Sequence, residues 1–150
     1  MRVVAPATTA NLGPGFDVFG LALNVFHDLV EVSLTGAGIT ITASGKYAGM
    51  MPTAPERNTA GVVAKLILDK AKANTGVEIK VDKGIKPGCG LGSSGASAAA
   101  VAVALDHLLG TCYSKMELIS LAAQGESASA GFPHADNVAA AILGGFTIIR

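Results

Sequence analysis

The chain has 150 residues, of which half are apolar and 15% are charged, and its eleven basic side chains balance eleven acidic ones. Such a chain is long enough for one domain with a hydrophobic core, and its composition excludes intrinsic disorder. Zero net charge, with five Phe, two Tyr and no Trp, also argues against a nucleic-acid-binding protein, which would need a basic surface with exposed aromatic side chains.

The two cysteines, Cys89 and Cys112, do not form a Cys-x-x-Cys metal or redox motif. We expect both to be free thiols, as in a protein of the reducing cytosol. The first six residues lack the apolar core of a secretory signal. The longest apolar stretch, residues 96–105, is well short of the roughly 20 residues that span a bilayer. The sequence therefore predicts a soluble cytoplasmic protein that makes no contact with a membrane.

The first third of the chain has the pattern of strands separated by loops. Residues 2–5 are predicted to form a short strand, and residues 6–16 an irregular loop rich in Gly and Pro. Residues 29–34 and 39–43 alternate apolar and polar side chains, which is typical of half-buried strands. Because Gly-Ala-Gly at 36–38 lies between them, we expect these two strands to pair as a hairpin.

The middle third combines helices with one strand. A helical spacing of apolar residues predicts a helix over 58–73, with Asn58 as its N-cap. Residues 77–81 alternate as a strand. A Gly-rich loop follows at 84–92, and a run of small residues predicts a second helix over about 94–109.

The last third contains two further helical segments and a closing strand. Ser114 and Glu117 form the signature of a capping box, which predicts a helix from there to about residue 127. Residues 134–143 are predicted to form a short helix or turn, and residues 146–150 a strand. Strands followed by a helix, one more strand and further helices indicate an α+β fold or a mixed two-layer sandwich.

The Gly-rich loop is the strongest indication of function. In Lys-Pro-Gly-Cys-Gly-Leu-Gly-Ser-Ser at 86–94, three alternating glycines let the backbone approach a ligand closely. The start of the following helix offers unpaired N–H groups and a partial positive charge, which favour a bound phosphate. The loop lacks the Gly-Lys-Ser/Thr ending of the common nucleotide loop and the third glycine of the dinucleotide fingerprint. From spacing alone, a Ser-capped helix with a Gly-rich entry turn is the alternative.

Four segments, which occur along the chain in the same order as in the family, resemble a known family. Gly-Leu-Gly-Ser-Ser at 90–94, followed by small residues, resembles the central signature of the GHMP kinases, which include galactokinase and mevalonate kinase. Glu-Arg-Asn-Thr at 56–59 resembles the family's segment around the adenine. Within the family, the run 5–17, which includes Asn-Leu-Gly-Pro-Gly-Phe-Asp, is similar to the opening of the homoserine kinases. Gly125 and Glu126, followed by the run 131–146 with His-Ala-Asp-Asn-Val, are also similar to the homoserine kinases. The resemblance covers nearly the whole chain.

The resemblance implies a fold and a reaction. The fold would be a ribosomal-protein-like α+β sandwich with a left-handed β-α-β crossover, an exception to the usual hand. Residues 1–150 would be the ATP-binding amino-terminal domain, a fragment without its carboxy-terminal domain; whether the fragment acts alone is left open. The reaction would use ATP and magnesium to phosphorylate the hydroxyl of L-homoserine, giving O-phospho-L-homoserine in threonine biosynthesis. A homodimer is also left open.

The resemblance also implies roles for individual residues. Asn11, Asp17, His134 and Asn137 would face the amino-acid substrate, which needs both acceptors and donors. Ser94 and Glu126 would engage magnesium. The predicted catalytic residues are Asn137, Glu126 and Ser94. The predicted nucleotide-binding residues are Asn58, by the adenine, and Pro87, Gly88, Cys89, Gly90, Leu91, Gly92, Ser93, Ser94, Gly95 and Ala96.

Asn137 occupies the position at which many GHMP kinases have an aspartate base. Because an amide is no useful base at pH 7, the resemblance implies catalysis by orientation and transition-state stabilisation, with the proton leaving through phosphate or water. Asp136 is the competing candidate for a base. The departures from the family pattern are small changes of shape at Pro87, Cys89 and Gly95, and they leave the kinase prediction intact.

Other interpretations stay open at this point. The chain could belong to a GHMP kinase for another alcohol, such as shikimate or a mevalonate derivative, or to a non-enzymatic nucleic-acid-binding domain of the same fold. Taken singly, Asn11 could merely fix a turn and Asp17 could cap a helix or pair with a lysine. His134 and Glu126 could likewise be structural or solvated side chains.

Overall fold

The computed structural model describes residues 1–130 and 134–149, and within them it has one five-stranded sheet and four α-helices. Two single 3₁₀ turns, Ala48–Met50 and Pro55–Arg57, precede the first helix. Residues 131–133 of the family-like run and residue 150 of the predicted closing strand lie outside the described residues. The strands are β1 (Arg2–Leu12), β2 (Gly15–Thr35), β3 (Ile39–Ser44), β4 (Gly76–Asp82) and β5 (Phe146–Ile148), and the helices are α1 (Thr59–Ala71), α2 (Ser93–Leu109), α3 (Lys115–Ala130) and α4 (Asp136–Leu143).

The sheet is organised around the long strand β2. Its second half pairs with both β1 and β4 in antiparallel fashion, and its first half pairs with β1 and with the short strand β5. The order of the main strands is β1-β2-β4-β3, and only β3 and β4 are parallel. The predicted β-α-β unit is therefore β3-α1-β4. Its left-handed crossover stays a prediction.

The predicted hairpin between residues 29–34 and 39–43 is wrong. Both strands form, but β4 lies between them and pairs with each, so β2 and β3 do not touch along their length. The turn at 36–38 still reverses the chain, and the backbone N–H of Val77 donates to Gly38 O at 2.8 Å where β4 enters. Local alternation located the strands, whereas a strand some 40 residues later decided their partners.

The predicted loop over residues 6–16 is also wrong, because β1 continues to Leu12 and β2 begins at Gly15. Proline has no N–H for a sheet ladder and is tolerated at edges and bulges. Pro6 satisfies both conditions: β1 is an edge strand, and its register against β2 shifts between Pro6 and Ala7. Only the tight turn at 13–14 separates the two strands.

The helices follow the local sequence closely. Asn58 Oδ1 accepts from the backbone N–H of Ala60 at 2.9 Å, which confirms the predicted N-cap of α1. Ser114 and Glu117 form the reciprocal capping box: Ser114 N–H donates to Glu117 Oε2 at 3.0 Å, and Glu117 N–H donates to Ser114 Oγ at 3.3 Å. The α3 helix then runs to Ala130, slightly beyond the predicted end.

The helices cover one face of the sheet, which confirms the two-layer α+β prediction. Alternate residues of the central strands, such as Val30 and Val32 on β2 and Ile79 and Val81 on β4, are buried against them. The small side chains of α2, including Ala98 and Ala102, are fully buried, so this helix sits close to the sheet. Its start is thereby held rigidly beneath the Gly-rich loop. Among the described helices, none is long and apolar enough to cross a membrane.

Candidate active site

A cavity of about 410 Å³ lies where the Gly-rich loop meets the beginning of α1 and side chains of α3 and α4. Its volume is within the range of small-molecule pockets, about 300–1,000 Å³. Most of the predicted nucleotide and catalytic residues line it: residues 87, 88 and 90–94 of the loop, together with Asn58, Glu126 and Asn137. The cavity thus gathers residues from four separate stretches of sequence.

The Gly-rich loop has a backbone that only glycine adopts readily. Gly88 and Gly90 have φ angles of +72° and +76°, and no protein atom lies within 4 Å of where their Cβ atoms would be, so a ligand can approach this backbone. Gly92, at φ +61°, is the N-cap of α2 and makes no side-chain cap. The alternative of a Ser-capped helix is therefore wrong. A Cβ on Gly92 would overlap Thr8 Oγ1 and approach Asn137 Oδ1 to 2.8 Å.

Ser93 and Ser94, in the first turn of α2, line the cavity. The N–H groups of residues 93–95 precede the first intrahelical hydrogen bond, in which Ala96 N–H donates to Gly92 O at 2.8 Å. Ala96 is fully buried, so it offers a ligand neither its N–H nor its side chain. Gly95 lies against α4, and its Cβ would stand 3.3 Å from Asn137 Cβ. Cys89 points to solvent and donates to Lys86 O.

Ser94 and Glu126 meet at the cavity wall. Ser94 Oγ donates to Glu126 Oε2 at 2.9 Å, and Glu126 is only 6% exposed. Burial raises the pKa of the Glu126 carboxyl, an effect opposed by the Ser94 hydrogen bond and by the nearby His134. A hydroxyl and a carboxylate are oxygen ligands of the kind that magnesium prefers. The pair predicted to bind the metal is therefore brought together.

Asn137 is held in place from two sides. Thr8 Oγ1 donates to Asn137 Oδ1 at 2.8 Å, and Asn137 N–H donates to Asp136 Oδ1 at 2.7 Å. The backbone N–H of Thr8 also donates to Leu91 O at 3.1 Å, so one threonine of β1 ties the Gly-rich loop to this asparagine. Asp136, the competing base, is 2% exposed and is not among the residues lining the cavity.

The remaining substrate candidates form a second group at the β1–β2 turn. Asn11 Oδ1 accepts from the backbone N–H of Asp17 at 2.8 Å, so Asn11 does fix a turn, as the structural alternative proposed. Asn11 and Asp17 have φ angles of +59° and +55°, which Asn and Asp tolerate better than most residues. His134 Nδ1 lies 3.4 Å from Asp17 Oδ1. The three residues do not line the cavity described above.

The amide of Asn58 is used within the protein. Besides capping α1, its Nδ2 donates to Pro52 O, and the residue is 3% exposed. Next to it, Thr59 Oγ1 donates to Ser94 O at 3.3 Å. The hydrogen bond from Thr59 joins the start of α1 to the start of α2, and both helix starts line the cavity. Asn58 therefore forms part of the cavity wall.

Several residues at the site were not singled out from the sequence. Thr8 and Thr59 contact predicted site residues, and Arg57 lines the cavity. A buried ion pair of Asp28 and Lys83 lies beneath the loop. The segments containing Thr8, Arg57 and Thr59 resembled the family, which was a usable indication. No local pattern indicated that Asp28 and Lys83, 55 residues apart, would pair.

The sequence and the fold are similar to those of known proteins. Residues 58–145 match the family model described as GHMP kinases N terminal domain. The homoserine kinase of Methanococcus maripaludis is 53% identical over 148 residues, covering 99% of this chain and 49% of that protein. The homoserine kinase of Halobacterium salinarum is 52% identical over 150 residues, covering 100% of this chain and 48% of that protein. The chain spans about half the length of the curated relatives that it matches.

The fold is also similar to those of solved kinase structures. The crystal structure of homoserine kinase from Cytophaga hutchinsonii superposes with a TM-score of 0.92 at 38% identity, covering 100% of this chain and 48% of that one. The mevalonate kinase of Methanococcus jannaschii has a TM-score of 0.77 at 17% identity, covering 100% of this chain and 53% of that one. At that identity the second likeness concerns the fold alone.

Proposed function

This chain belongs to the GHMP kinase family, and we propose that it is the nucleotide-binding part of a homoserine kinase, which transfers the γ-phosphate of ATP to the hydroxyl of L-homoserine. The observation that carries the proposal is the hydrogen bond of 2.9 Å from Ser94 Oγ to Glu126 Oε2, at a cavity that the Gly-rich loop also lines. An anion cradle beside a pair of magnesium-type oxygen ligands is what transfer of a phosphoryl group from a nucleotide requires.

The loop fits a polyphosphate. The positive φ angles and open surroundings of Gly88 and Gly90 leave a concave backbone into which side chains would otherwise project. The start of α2, where Ser93 and Ser94 line the same cavity, would supply unpaired N–H groups and a partial positive charge to a bound phosphate. The adenine would lie towards Asn58, as the family resemblance implies. Cys89 and Ala96 do not line the cavity, so we do not propose that they contact the nucleotide.

Ser94 and Glu126 fit a bound magnesium ion. When bound, the ion would neutralise charge on the phosphates during transfer. Glu126 would provide one carboxylate ligand, and Ser94 would turn its hydroxyl oxygen from Glu126 towards the ion. Because burial raises the pKa of Glu126, a cation would also stabilise the ionised carboxylate that the apo-protein disfavours.

Asn137 would orient the acceptor hydroxyl without removing its proton. Its Oδ1 is held by Thr8, so the direction of the amide is fixed before the substrate binds. An amide has no useful basicity at neutral pH, and Asp136 is buried beyond the cavity wall. The rate would then come from positioning and charge stabilisation, and the proton would leave through phosphate or water.

Asp17 and His134 are proposed to select an amino-acid substrate. A carboxylate at Asp17 would bind the substrate ammonium, and an imidazole at His134 would donate to a substrate oxygen. Their 3.4 Å separation and partial exposure leave both groups accessible. Asn11 would act by holding the turn that presents Asp17. The remainder of the substrate pocket would come from a carboxy-terminal domain, in a cytoplasmic enzyme of threonine biosynthesis.

The test is release of ADP by the full-length protein with magnesium-ATP and a panel of small alcohols: L-homoserine, L-threonine, shikimate and mevalonate. Turnover that depends on L-homoserine, and that is lost in Ser94→Ala, is expected. Turnover with shikimate or mevalonate alone would keep the kinase and overturn the substrate. Absence of both turnover and ATP binding would overturn the kinase itself and favour a non-enzymatic binding domain.

A further inference from the structure

Two deeply buried charged side chains of the described residues lie beneath the Gly-rich loop. Lys83, just after β4, and Asp28, in the middle of β2, have side chains that are 2% and 0% exposed, and they form an ion pair. Burial lowers the pKa of the Lys83 ammonium, and the carboxylate of Asp28 opposes that change. Since a buried ion pair rarely adds more stability than apolar side chains of the same volume, its placement calls for another explanation.

The pair is joined to both ends of the loop. On the entry side, Asp28 Oδ1 accepts from the backbone N–H groups of Gly84 at 3.0 Å and Ile85 at 2.9 Å. On the exit side, Lys83 Nζ donates to Ser93 O at 2.7 Å and to Ser97 Oγ at 2.8 Å. All three protons of the ammonium are therefore used, and each goes to a different partner.

A third contact closes the two ends on each other. Ser93 Oγ donates to Ile85 O at 2.9 Å, which joins the entry of the loop to the first residue of α2. Residues 86–92 thus form an arch whose two feet are fixed by one buried network. We name this network of Asp28, Lys83, Ser93 and Ser97 the loop clamp. Between the feet, Gly88 and Gly90 are exposed and line the cavity.

We propose that the loop clamp is a positioning device for the nucleotide: it holds the Gly-rich loop and the first turn of α2 in the phosphate-binding geometry before ATP arrives. Lys83 and Asp28 are positioning residues, since neither lines the cavity. The proposal deepens the proposed function and rests on it for its nucleotide readout. A Gly-rich segment is otherwise highly flexible, so ordering it when the nucleotide binds would reduce the affinity. A site that is already formed avoids this cost.

The test uses the full-length protein with Asp28→Asn/Lys83→Met, which removes both charges together and so leaves no unpaired buried charge. In this variant the amide oxygen introduced in place of the Asp28 carboxylate can still accept from Gly84 and Ile85. Two readouts are taken on folded protein: hydrogen–deuterium exchange of the backbone at 86–94, and the dissociation constant of magnesium-ATP. The KM for L-homoserine is measured beside them.

We expect exchange at 86–94 to become at least about tenfold faster and ATP binding at least about tenfold weaker, as for loss of a supporting partner of a binding site. The KM for L-homoserine should stay within about twofold, because its proposed contacts at Asp17 and His134 do not involve the clamp. Exchange and ATP affinity equal to the wild type, whatever the change in melting temperature, would overturn the proposal and make the pair a fold-stabilising feature only.

Leu105→Ala is the matched control. Leu105 is fully buried in α2 but lies three turns beyond Ser93, so its truncation lowers stability without touching the clamp. We expect its ATP affinity and loop exchange to match the wild type. If it weakens ATP binding as much as the double variant does, the loss reflects stability in general, and the positioning role is overturned.

A milder variant covers the case in which the double variant does not fold. Ser97→Ala removes one hydroxyl from the clamp, and we expect it to speed loop exchange by about threefold; unchanged exchange would overturn the proposal. Hydrogen exchange also separates this inference from the proposed function. A wild-type protein that binds no ATP would refute the kinase assignment, and then the exchange data alone would decide whether the clamp orders the loop.

Discussion

Ser94 Oγ, in the first turn of α2, lies 2.9 Å from Glu126 Oε2 on α3. This contact joins the end of the Gly-rich loop to a buried carboxylate that comes 32 residues later in the chain. Neither residue alone is a site, since a helix-start serine and a helical glutamate are common. Together, at one cavity, they make a magnesium-dependent phosphoryl transfer the most economical interpretation, and that interpretation can be tested residue by residue.

Glu126→Gln should abolish magnesium dependence. The amide keeps the shape and the hydrogen bond from Ser94 but loses the charge that would hold the ion, so kcat should fall at least about 100-fold. Steady-state kinetics measure the fall in kcat, and isothermal titration of ATP with and without magnesium measures the magnesium dependence of binding. Glu56→Gln, an exposed residue that does not line this cavity, is the control and should behave as the wild type. Equal magnesium enhancement in Glu126→Gln and wild type would refute the metal role.

Stability without ligands should depend on pH through Glu126. Since burial raises the pKa of Glu126 above its unfolded value, the folded state binds more protons than the unfolded state between the two pKa values. The stability contributed by the protonated form is complete below the unfolded pKa and is lost as pH rises through the folded pKa. Glu126→Gln should lack this loss. The difference in unfolding free energy between the two proteins, measured from about pH 4 upwards, should therefore move in favour of the variant; a constant difference would contradict the prediction.

Gly92→Ala should destabilise the protein and disable the loop. The positive φ of Gly92 costs an L-residue about 1–2 kcal/mol, and the overlap with Thr8 Oγ1 adds about 1–3 kcal/mol. Gly110→Ala separates the two causes, because Gly110 has φ +63° at the α2 C-cap and open space around it. Denaturant unfolding should give the larger loss for Gly92→Ala. Equal losses would mean that Thr8 and Asn137 yield to the new methyl group.

Thr8→Val should slow the reaction without weakening ATP binding. The change removes the hydroxyl that holds Asn137 Oδ1 while keeping the volume, and loss of one such hydrogen bond corresponds to about a tenfold lower kcat. Thr8→Ser restores the hydroxyl and should restore most of the rate. Steady-state kinetics on both variants make the comparison. If Thr8→Ser is as slow as Thr8→Val, the threonine acts through packing and not through its hydrogen bond.

Asp17→Asn should raise the KM for L-homoserine by about 10–100-fold, since a hydrogen bond to a charged group is worth about 1.5–3 kcal/mol. Asparagine also tolerates the positive φ at this position, so the turn held by Asn11 should persist. Asp69→Asn, an exposed position on α1, is the control. The KM for ATP should be unchanged in both. A shift in the ATP value with none in the homoserine value would move Asp17 out of the substrate pocket.

The local sequence predicted features whose causes lie within a few residues. The Asn58 cap, the Ser114–Glu117 capping box and the glycines of the loop are each decided by hydrogen bonds or φ angles of neighbouring residues. The magnesium and substrate roles needed more than local chemistry. They came from the family resemblance, and they stay predictions for the experiments above, although the structure places Ser94 beside Glu126.

Tertiary structure decided the rest, because the energy of strand pairing and of buried polar contacts depends on residues far apart in the chain. Pairing with β4 separated β2 from β3, and an edge position with a register shift admitted Pro6 into β1. Asp28 and Lys83, 55 residues apart, became partners only when β2 and β4 joined. The sequence by itself thus determined the Gly-rich loop and the helices around it, since these depend on backbone propensity. Only the folded sheet determined what supports the loop, since burying a charge is tolerable solely where a partner is already in place.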